Sequence, residues 1–197
     1  MNQTSKALFI MKTAATALLF AILALLFIYS SIDPSQNRQQ TPQSQTSLLL
    51  HESRLQAPRL DVLVDGTEVE LQQMLGQVVY VNFWAYWCPP CIEELPLLNT
   101  ISQSALTSGA FSSLIINLDT DEQNIVKAQK FLQEAAPELS FVRLSTHSQA
   151  KDNYLVNSLP LHILIDKKGR VALRYTGTLV DKGDLFIKLV RQLQGED

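Results

Sequence analysis

Residues 78–91 join an apolar, strand-like run directly to a closely spaced cysteine pair, and they read VVYVNFWAYWCPPC. The run Val78–Phe83 favours β structure almost without interruption, which is typical of a strand covered on both faces of a sheet. After the cysteines, apolar residues recur at three-residue steps and predict a helix to about Ser104 with one buried stripe. These residues are Ile92, Leu95, Leu98 and Ile101. The sequence therefore places Cys88 and Cys91 where a central strand ends and a helix begins.

Strand-like and helix-like segments alternate along the rest of the chain. Strands or extended segments are predicted at 60–64, 67–75, 114–118, 141–144, 161–166 and 171–175. Helices are predicted at 122–135, 149–155 and 184–193. This order gives a βαβ unit, a helix, an antiparallel hairpin and a last helix. It predicts one α/β domain with a mixed central sheet and helices on both faces.

The composition excludes several classes of protein. The chain has 197 residues, of which 46% are hydrophobic and 18% charged, and its net charge is −3. Such a chain is neither disordered nor collagen-like nor a disulfide-stapled miniprotein. From Leu48 onward there are 18 acidic and 13 basic residues, without the basic stripe that neutralises phosphates. We therefore expect no nucleic-acid partner.

The amino-terminal region predicts a membrane anchor. Residues 13–32 are a run of 20 residues without charge, long enough as a helix to span a hydrocarbon layer of about 30 Å. Two lysines precede the run, so residues 1–12 are expected to remain cytoplasmic. Residues 33–47 are mostly polar and predict a flexible linker. We expect a single-pass anchor that holds the domain 48–197 on the outer, periplasmic side of the cytoplasmic membrane. A cleaved signal peptide is the alternative.

The cysteine pair predicts thiol–disulfide chemistry. Two cysteines separated by two residues in a first helical turn can close a small disulfide ring. Cys88, at the positive end of the helix, is expected to be the attacking thiolate, and the deeper Cys91 is suited to resolve a mixed disulfide. Because Pro89 and Pro90 carry no N–H group, the Cys88 thiolate is expected to be stabilised only moderately. That favours an electron donor over a strong oxidant.

Other interpretations of the cysteine pair remain open. A zinc site needs two more ligands, and the three histidines of the chain, His51, His147 and His162, do not stand at ligand spacing to one another. A copper carrier can combine both thiolates with a distant histidine such as His162. A thiol peroxidase needs a nearby Thr and Arg, which this segment lacks, and a purely structural disulfide is the last alternative. We predict neither a metal nor another cofactor.

Residues 79–96, VYVNFWAYWCPPCIEELP, resemble the TlpA/ResA family of membrane-anchored, thioredoxin-like disulfide reductases, some of which serve cytochrome c maturation. The resemblance extends from about Ala57 to the carboxyl terminus and includes Leu159-Pro160 ahead of ILIDKKG at 163–169. It implies a thioredoxin fold and an active-site dithiol that reduces protein disulfides. Apocytochrome c as a substrate and a membrane thiol electron donor follow from the same resemblance.

The resemblance also implies a substrate-binding surface around the cysteines. Pro160 is expected to be a cis-proline facing them, and an ordinary proline at the start of a strand is the alternative. A cis turn exposes the Leu159 backbone, where an extended substrate peptide can pair. Trp87 is expected to offer a flat surface to the substrate, with Pro89 beside it.

Glu94 matches an acidic position of the family three residues after the second cysteine. Three residues are one helical step, so its carboxyl is expected to exchange a proton with Cys91. The alternative is a surface-facing glutamate. The sequence departs from the family pattern in two places: at Tyr86, where a small residue is usual, and at Leu161-His162, where Thr-rich sequence is common. We predict that His162 is a buried, hydrogen-bonded histidine of structural importance rather than a site residue.

Overall fold

The computed structural model of the chain describes residues 22–23, 50–107 and 111–196. Of the predicted anchor, 13–32, only Ile22 and Leu23 belong to these residues, and both are helical. The rest of the anchor, the segment 1–12 and the linker 33–47 lie outside the described residues. Among the residues described, no helix combines the length and the apolar character needed to cross a membrane.

The described residues form one mixed sheet of seven strands. In chain order the strands are β1 (Asp61–Val64), β2 (Thr67–Glu70), β3 (Val78–Trp84), β4 (Phe111–Asn117), β5 (Val142–Leu144), β6 (Leu161–Ile165) and β7 (Val171–Thr176). In space they follow the order β2-β1-β5-β4-β3-β6-β7. β3, β4 and β5 run parallel, and the other neighbouring pairs are antiparallel. The predicted mixed sheet is confirmed.

Four α-helices connect or follow these strands in the described part of the chain. They are α1 (Pro89–Leu106), α2 (Glu122–Ala135), α3 (Ala150–Asn153) and α4 (Gly183–Gln194). The extended segment predicted over 67–75 is wrong in its second half, because residues Leu71–Met74 form a 3₁₀-helix. Glu70 and Gln73 cap this helix reciprocally, each side chain bonding the other's backbone, and these local bonds displace strand pairing.

β3 lies at the centre of the core because both of its faces are covered. All seven of its residues are buried. On one face, Tyr80 packs in a cluster with Leu95 of α1, Leu132 of α2 and Phe186 of α4. On the other face lies a second cluster, which includes Ala150 of α3. Burial on both faces accounts for the nearly unbroken apolar sequence of this strand.

The strand order brings two loops together at one edge of the sheet. β3 runs into the Cys88 turn at its carboxyl end, and β6 pairs with it antiparallel so that Phe83 lies opposite Leu161. The segment before β6 therefore meets the segment after β3. This segment contains the Leu159–Pro160 peptide bond, which is cis.

Candidate active site

Cys88 and Cys91 form a disulfide, with their Cα atoms 5.3 Å apart. Cys88 is the N-cap of α1 in an extended conformation, and Pro89 and Pro90 occupy the first two helical positions. Cys88 is 4% exposed, whereas Cys91 is fully buried. The predicted pair thus consists of one sulfur near the surface and one beneath it.

The first turn of α1 offers few backbone donors to the Cys88 sulfur. The two prolines have none, and the Cys91 N–H donates to the Cys88 carbonyl oxygen at 3.0 Å. The Ile92 N–H donates to the same oxygen at 3.1 Å. A helix N-terminus stabilises an anion largely through free N–H groups. This helix therefore has less to offer a thiolate than one without the two prolines.

An open groove of about 530 Å³ lies beside Cys88. Trp87, Pro89 and Leu159, three of the predicted substrate-binding residues, line it. The Trp87 side chain is 64% exposed, an unusual position for an indole without a partner. The fourth predicted residue, Pro160, directly follows Leu159 through the cis bond. The groove also has lining residues that sequence reasoning missed: Pro90, Leu118, Lys151, Val156, Asn157 and Ser158.

Glu94 is fully buried, while the preceding Glu93 is exposed, so the surface-facing alternative for Glu94 is wrong. The Leu179 N–H donates to its Oε2 at 3.1 Å, and the Asn82 side-chain amide donates to its Oε1 at 3.4 Å. Burial raises the pKa of Glu94 to about 8, against the opposing effect of hydrogen bonds from Leu179, Thr178 and Asn82. In this oxidised form, with the disulfide closed, most of the Glu94 carboxyl carries a proton at neutral pH.

His162 is buried and hydrogen-bonded on both ring nitrogens. Its Nε2 lies 2.9 Å from the Gly177 carbonyl oxygen, which can only accept, so Nε2 carries the hydrogen. Its Nδ1 lies 2.8 Å from the Tyr80 hydroxyl and 3.2 Å from the Asn82 amide nitrogen, and accepts from both. Burial lowers the pKa of His162 to about 3, so the ring is neutral. His162 is thus buried and hydrogen-bonded, as predicted.

Sequence reasoning missed that His162 reaches Glu94. Its Nε2 lies 3.5 Å from Glu94 Oε1, and neither side chain is exposed. The contact arises because Asn82 of β3 lies directly opposite His162 of β6 in the antiparallel register. This approach could have been predicted only from the register of the two strands, and no local pattern in either strand encodes that register.

Tyr86 occupies the turn between β3 and α1. Its N–H donates to Asp119 Oδ2 at 2.7 Å, and the Asn117 side-chain amide donates to the same oxygen at 2.7 Å. The Tyr86 ring meets Phe131 of α2 edge-on, with centroids 6.4 Å apart. Its bulk therefore packs against α2, beside the turn that carries Cys88.

The metal-site alternatives lack ligands in the described part of the chain. There, no group of three or more His, Cys, Asp or Glu side chains is placed to hold a metal ion. Both ring nitrogens of His162 have protein partners, and His147 is exposed. His51 lines a separate pocket.

The fold and the site define a thioredoxin-like protein with a paired-cysteine centre at the start of a helix. Residues 49–185 match the Redoxin family, and the chain belongs to it. It is 33% identical to the thiol-disulfide oxidoreductase ResA of Bacillus cereus over 115 residues, which are 58% of this chain and 63% of that protein. It is 30% identical to ResA of Bacillus subtilis over 117 residues, 59% of this chain and 63% of that protein. The matched region thus spans less than two thirds of these relatives.

A solved structure supports the same assignment. The crystal structure of a candidate thiol:disulfide interchange protein DsbE from Chlorobium tepidum covers 76% of this chain and 100% of its own, with 27% identity and a TM-score of 0.64. The predicted thioredoxin-like α/β fold and the resemblance to TlpA/ResA-type proteins are confirmed.

Proposed function

We propose that the protein is a thiol-disulfide oxidoreductase that reduces disulfide bonds of other proteins through Cys88 and Cys91. One observation carries the proposal: the disulfide joins a sulfur beside an open groove to a sulfur that is fully buried. A stapling disulfide needs no such groove, whereas an exchange reaction needs one accessible and one shielded sulfur. The ResA relatives and the DsbE structure support the same activity.

The reaction begins with the reduced dithiol. The Cys88 thiolate attacks one sulfur of the substrate disulfide, forming a mixed disulfide and releasing the other substrate sulfur as a thiolate. Cys91 then gives its proton to the Glu94 carboxylate and attacks the Cys88 sulfur. The second substrate thiolate leaves, and the Cys88–Cys91 disulfide closes. Two electrons have passed to the substrate, and the proton of Cys91 remains on Glu94.

The groove is where a substrate chain would dock during this exchange. Trp87 provides an exposed aromatic face, and the Leu159 backbone beside the cis bond offers hydrogen-bonding groups to an extended peptide. Lys151, also in the lining, gives the groove a positive charge. These features suit a polypeptide better than a small disulfide.

The start of α1 supports the proposed direction of electron flow. With Pro89 and Pro90 lacking N–H groups and the Cys91 N–H bonded to the Cys88 carbonyl, the Cys88 thiolate gains little stabilisation. A less stabilised thiolate makes the reduced form a better electron donor. The protein therefore acts as a reductase and not as a disulfide donor.

The cellular setting is proposed from the sequence. Residues 13–32 would anchor the protein in the cytoplasmic membrane, and the linker 33–47 would hold the domain 48–197 at its outer, periplasmic face. There a membrane thiol protein would supply two electrons to the Cys88–Cys91 disulfide. Apocytochrome c, whose haem-attachment cysteines must be reduced, is the proposed substrate. The resemblance to the TlpA/ResA family supports both partners.

The proposal is tested by the reduction potential of the full-length chain. The protein is equilibrated with defined ratios of oxidised and reduced dithiothreitol or glutathione, and free thiols are trapped and counted. A potential well below about −180 mV, the isomerase range, would support a reductase. A potential near about −120 mV would contradict it and indicate a disulfide donor. The variant Cys88→Ser, which cannot form the disulfide, provides the baseline.

A further inference from the structure

A cluster of four polar side chains lies buried in the core. Tyr80 and Asn82 come from β3, Glu94 from α1 and His162 from β6, and all four are fully buried. They are linked in series, with the Tyr80 hydroxyl on His162 Nδ1 and the Asn82 amide between His162 Nδ1 and Glu94 Oε1. His162 does not line the groove beside Cys88.

His162 acts on Glu94 along two routes. Directly, its Nε2 atom lies 3.5 Å from Glu94 Oε1; its hydrogen is bonded to Gly177, but the partial positive charge of the N–H group at this distance favours a negative charge on the carboxyl. Indirectly, the same Nε2–H holds the Gly177 carbonyl at 2.9 Å, and two residues later the Leu179 N–H donates to Glu94 Oε2 at 3.1 Å. Both carboxyl oxygens therefore depend on the placement of this imidazole.

We propose that His162 is a positioning residue for Glu94: through its Nε2–H it fixes the 177–179 segment around the carboxyl and favours the ionised form that accepts the proton of Cys91. The kinetic consequence of this proposal rests on the proposed function, in which Glu94 accepts the proton of Cys91. Its structural consequence, the titration of Glu94, does not depend on any substrate.

The other ionisable groups around the cluster come from each element packed on it. Cys91 precedes Glu94 by three residues on α1. β3 contributes Tyr80, and burial raises the pKa of this tyrosine well above its ordinary value. From β7, the Tyr175 ring lies 5.9 Å from the His162 ring, and Lys182 lies 5.8 Å above the centre of that tyrosine. Tyr80 stays neutral throughout the range in which Glu94 titrates.

The test compares two substitutions of similar volume in the full-length, oxidised chain. His162→Gln keeps an N–H donor near the position of Nε2, whereas His162→Leu keeps the bulk without the donor. The Glu94 titration is followed by ¹³C NMR of labelled glutamate carboxyls, with the signal assigned by Glu94→Gln. We expect His162→Leu to raise the Glu94 midpoint by about one pH unit and His162→Gln to keep it near that of the wild type.

A control separates positioning from loss of packing. Tyr80→Phe removes the hydroxyl on the Nδ1 side and leaves Nε2 unchanged, so it is expected to lower stability without moving the Glu94 midpoint. If His162→Leu does not fold, His162→Asn replaces it, because asparagine keeps a polar group near Nδ1 and none near Nε2. An unchanged midpoint in the donor-free variant, or an equal shift in His162→Gln, would overturn the proposal.

The kinetic readout follows the reduced chain with Ellman's reagent. The first thionitrobenzoate is released when Cys88 is modified, and the second when Cys91 resolves the mixed disulfide, so the second phase reports resolution alone. Its pH midpoint is expected to rise in His162→Leu in parallel with the Glu94 titration, and to stay in His162→Gln. If resolution does not follow the titration, the kinetic part of the proposal is overturned. If the wild type reduces no protein disulfide although the titration shifts as expected, the proposed function fails while the positioning of Glu94 by His162 stands.

Discussion

Replacing Glu94 by glutamine is expected to stabilise the oxidised protein at alkaline pH. Burial raises the pKa of Glu94 from 4.5 to about 8, so between these values the folded chain holds a proton that the unfolded chain releases. The stability that protonation of Glu94 supports is complete below about pH 4.5 and is lost as the pH rises to about 8. Glutamine has the same shape and does not ionise, so the variant has no such loss.

The size of the effect follows from the displacement of the pKa. The shift from 4.5 to about 8 is about 3.5 pH units, and each unit corresponds to about 1.4 kcal/mol. The free energy of unfolding of Glu94→Gln relative to the wild type is therefore expected to grow by up to about 5 kcal/mol between pH 4.5 and 8. Above that range the difference should remain constant.

Urea unfolding of the full-length, oxidised chain at several pH values measures this difference. Tryptophan fluorescence reports the transition, because Trp84 is buried in the core and becomes exposed on unfolding. The matched control is Glu93→Gln, which makes the same chemical change at an exposed position one residue away. A difference between Glu94→Gln and the wild type that stays constant from pH 5 to 9 would refute the reasoning, because it would mean that Glu94 titrates alike in both states.

Three further predictions concern other parts of the molecule. Cys91→Ser should leave mixed disulfides on Cys88 unresolved and lengthen their lifetime by about 100-fold or more, detected on non-reducing gels, whereas Cys88→Ser should accumulate none. Trp87→Ala should lower kcat/KM about tenfold for a protein disulfide while a small disulfide is reduced nearly as before, and equal losses would exclude a docking role. Asp166→Asn should lower the free energy of unfolding by about 2–3 kcal/mol at pH 7 and by less at acidic pH. Burial raises the pKa of Asp166, but hydrogen bonds from Arg170 and Arg54 outweigh this effect and hold the pKa below its ordinary value. A loss of unfolding free energy that does not depend on pH would contradict this account.

The central strand and the helix after it could be predicted because their signals are local. A nearly unbroken apolar run predicts β3, and apolar residues at helical spacing after an N-cap and two prolines predict α1. The Asp65-Gly66 turn was also predictable, because an Asp-Gly pair between two extended segments favours the positive φ angles that both residues adopt. The 3₁₀-helix at Leu71–Met74 was not, because its capping side chains override the extended pattern of the segment.

The site divides in the same way between local and non-local information. The spacing of Cys88 and Cys91 and the helical step to Glu94 are properties of one segment; the two cysteines form the disulfide that their spacing allows, and Glu94 is buried. The approach of His162 to Glu94 depends on the register of β6 against β3, which is set by the packing of the whole sheet. The same holds for Lys151, which the chain brings to the groove from α3.

The pKa values of Glu94 and His162 are shifted in opposite directions, and these shifts decide which group of the site carries a proton. Burial raises the pKa of Glu94 to about 8 and lowers that of His162 to about 3, so between these values the cluster carries no net charge. In the oxidised protein Glu94 therefore holds a proton at neutral pH, three residues after the buried Cys91. In the proposed reaction, this proton passes to Cys91 when an electron donor opens the disulfide, and it returns to Glu94 when Cys91 next attacks Cys88. In that proposed cycle one proton would serve both halves, and the buried sulfur would not have to exchange protons with solvent.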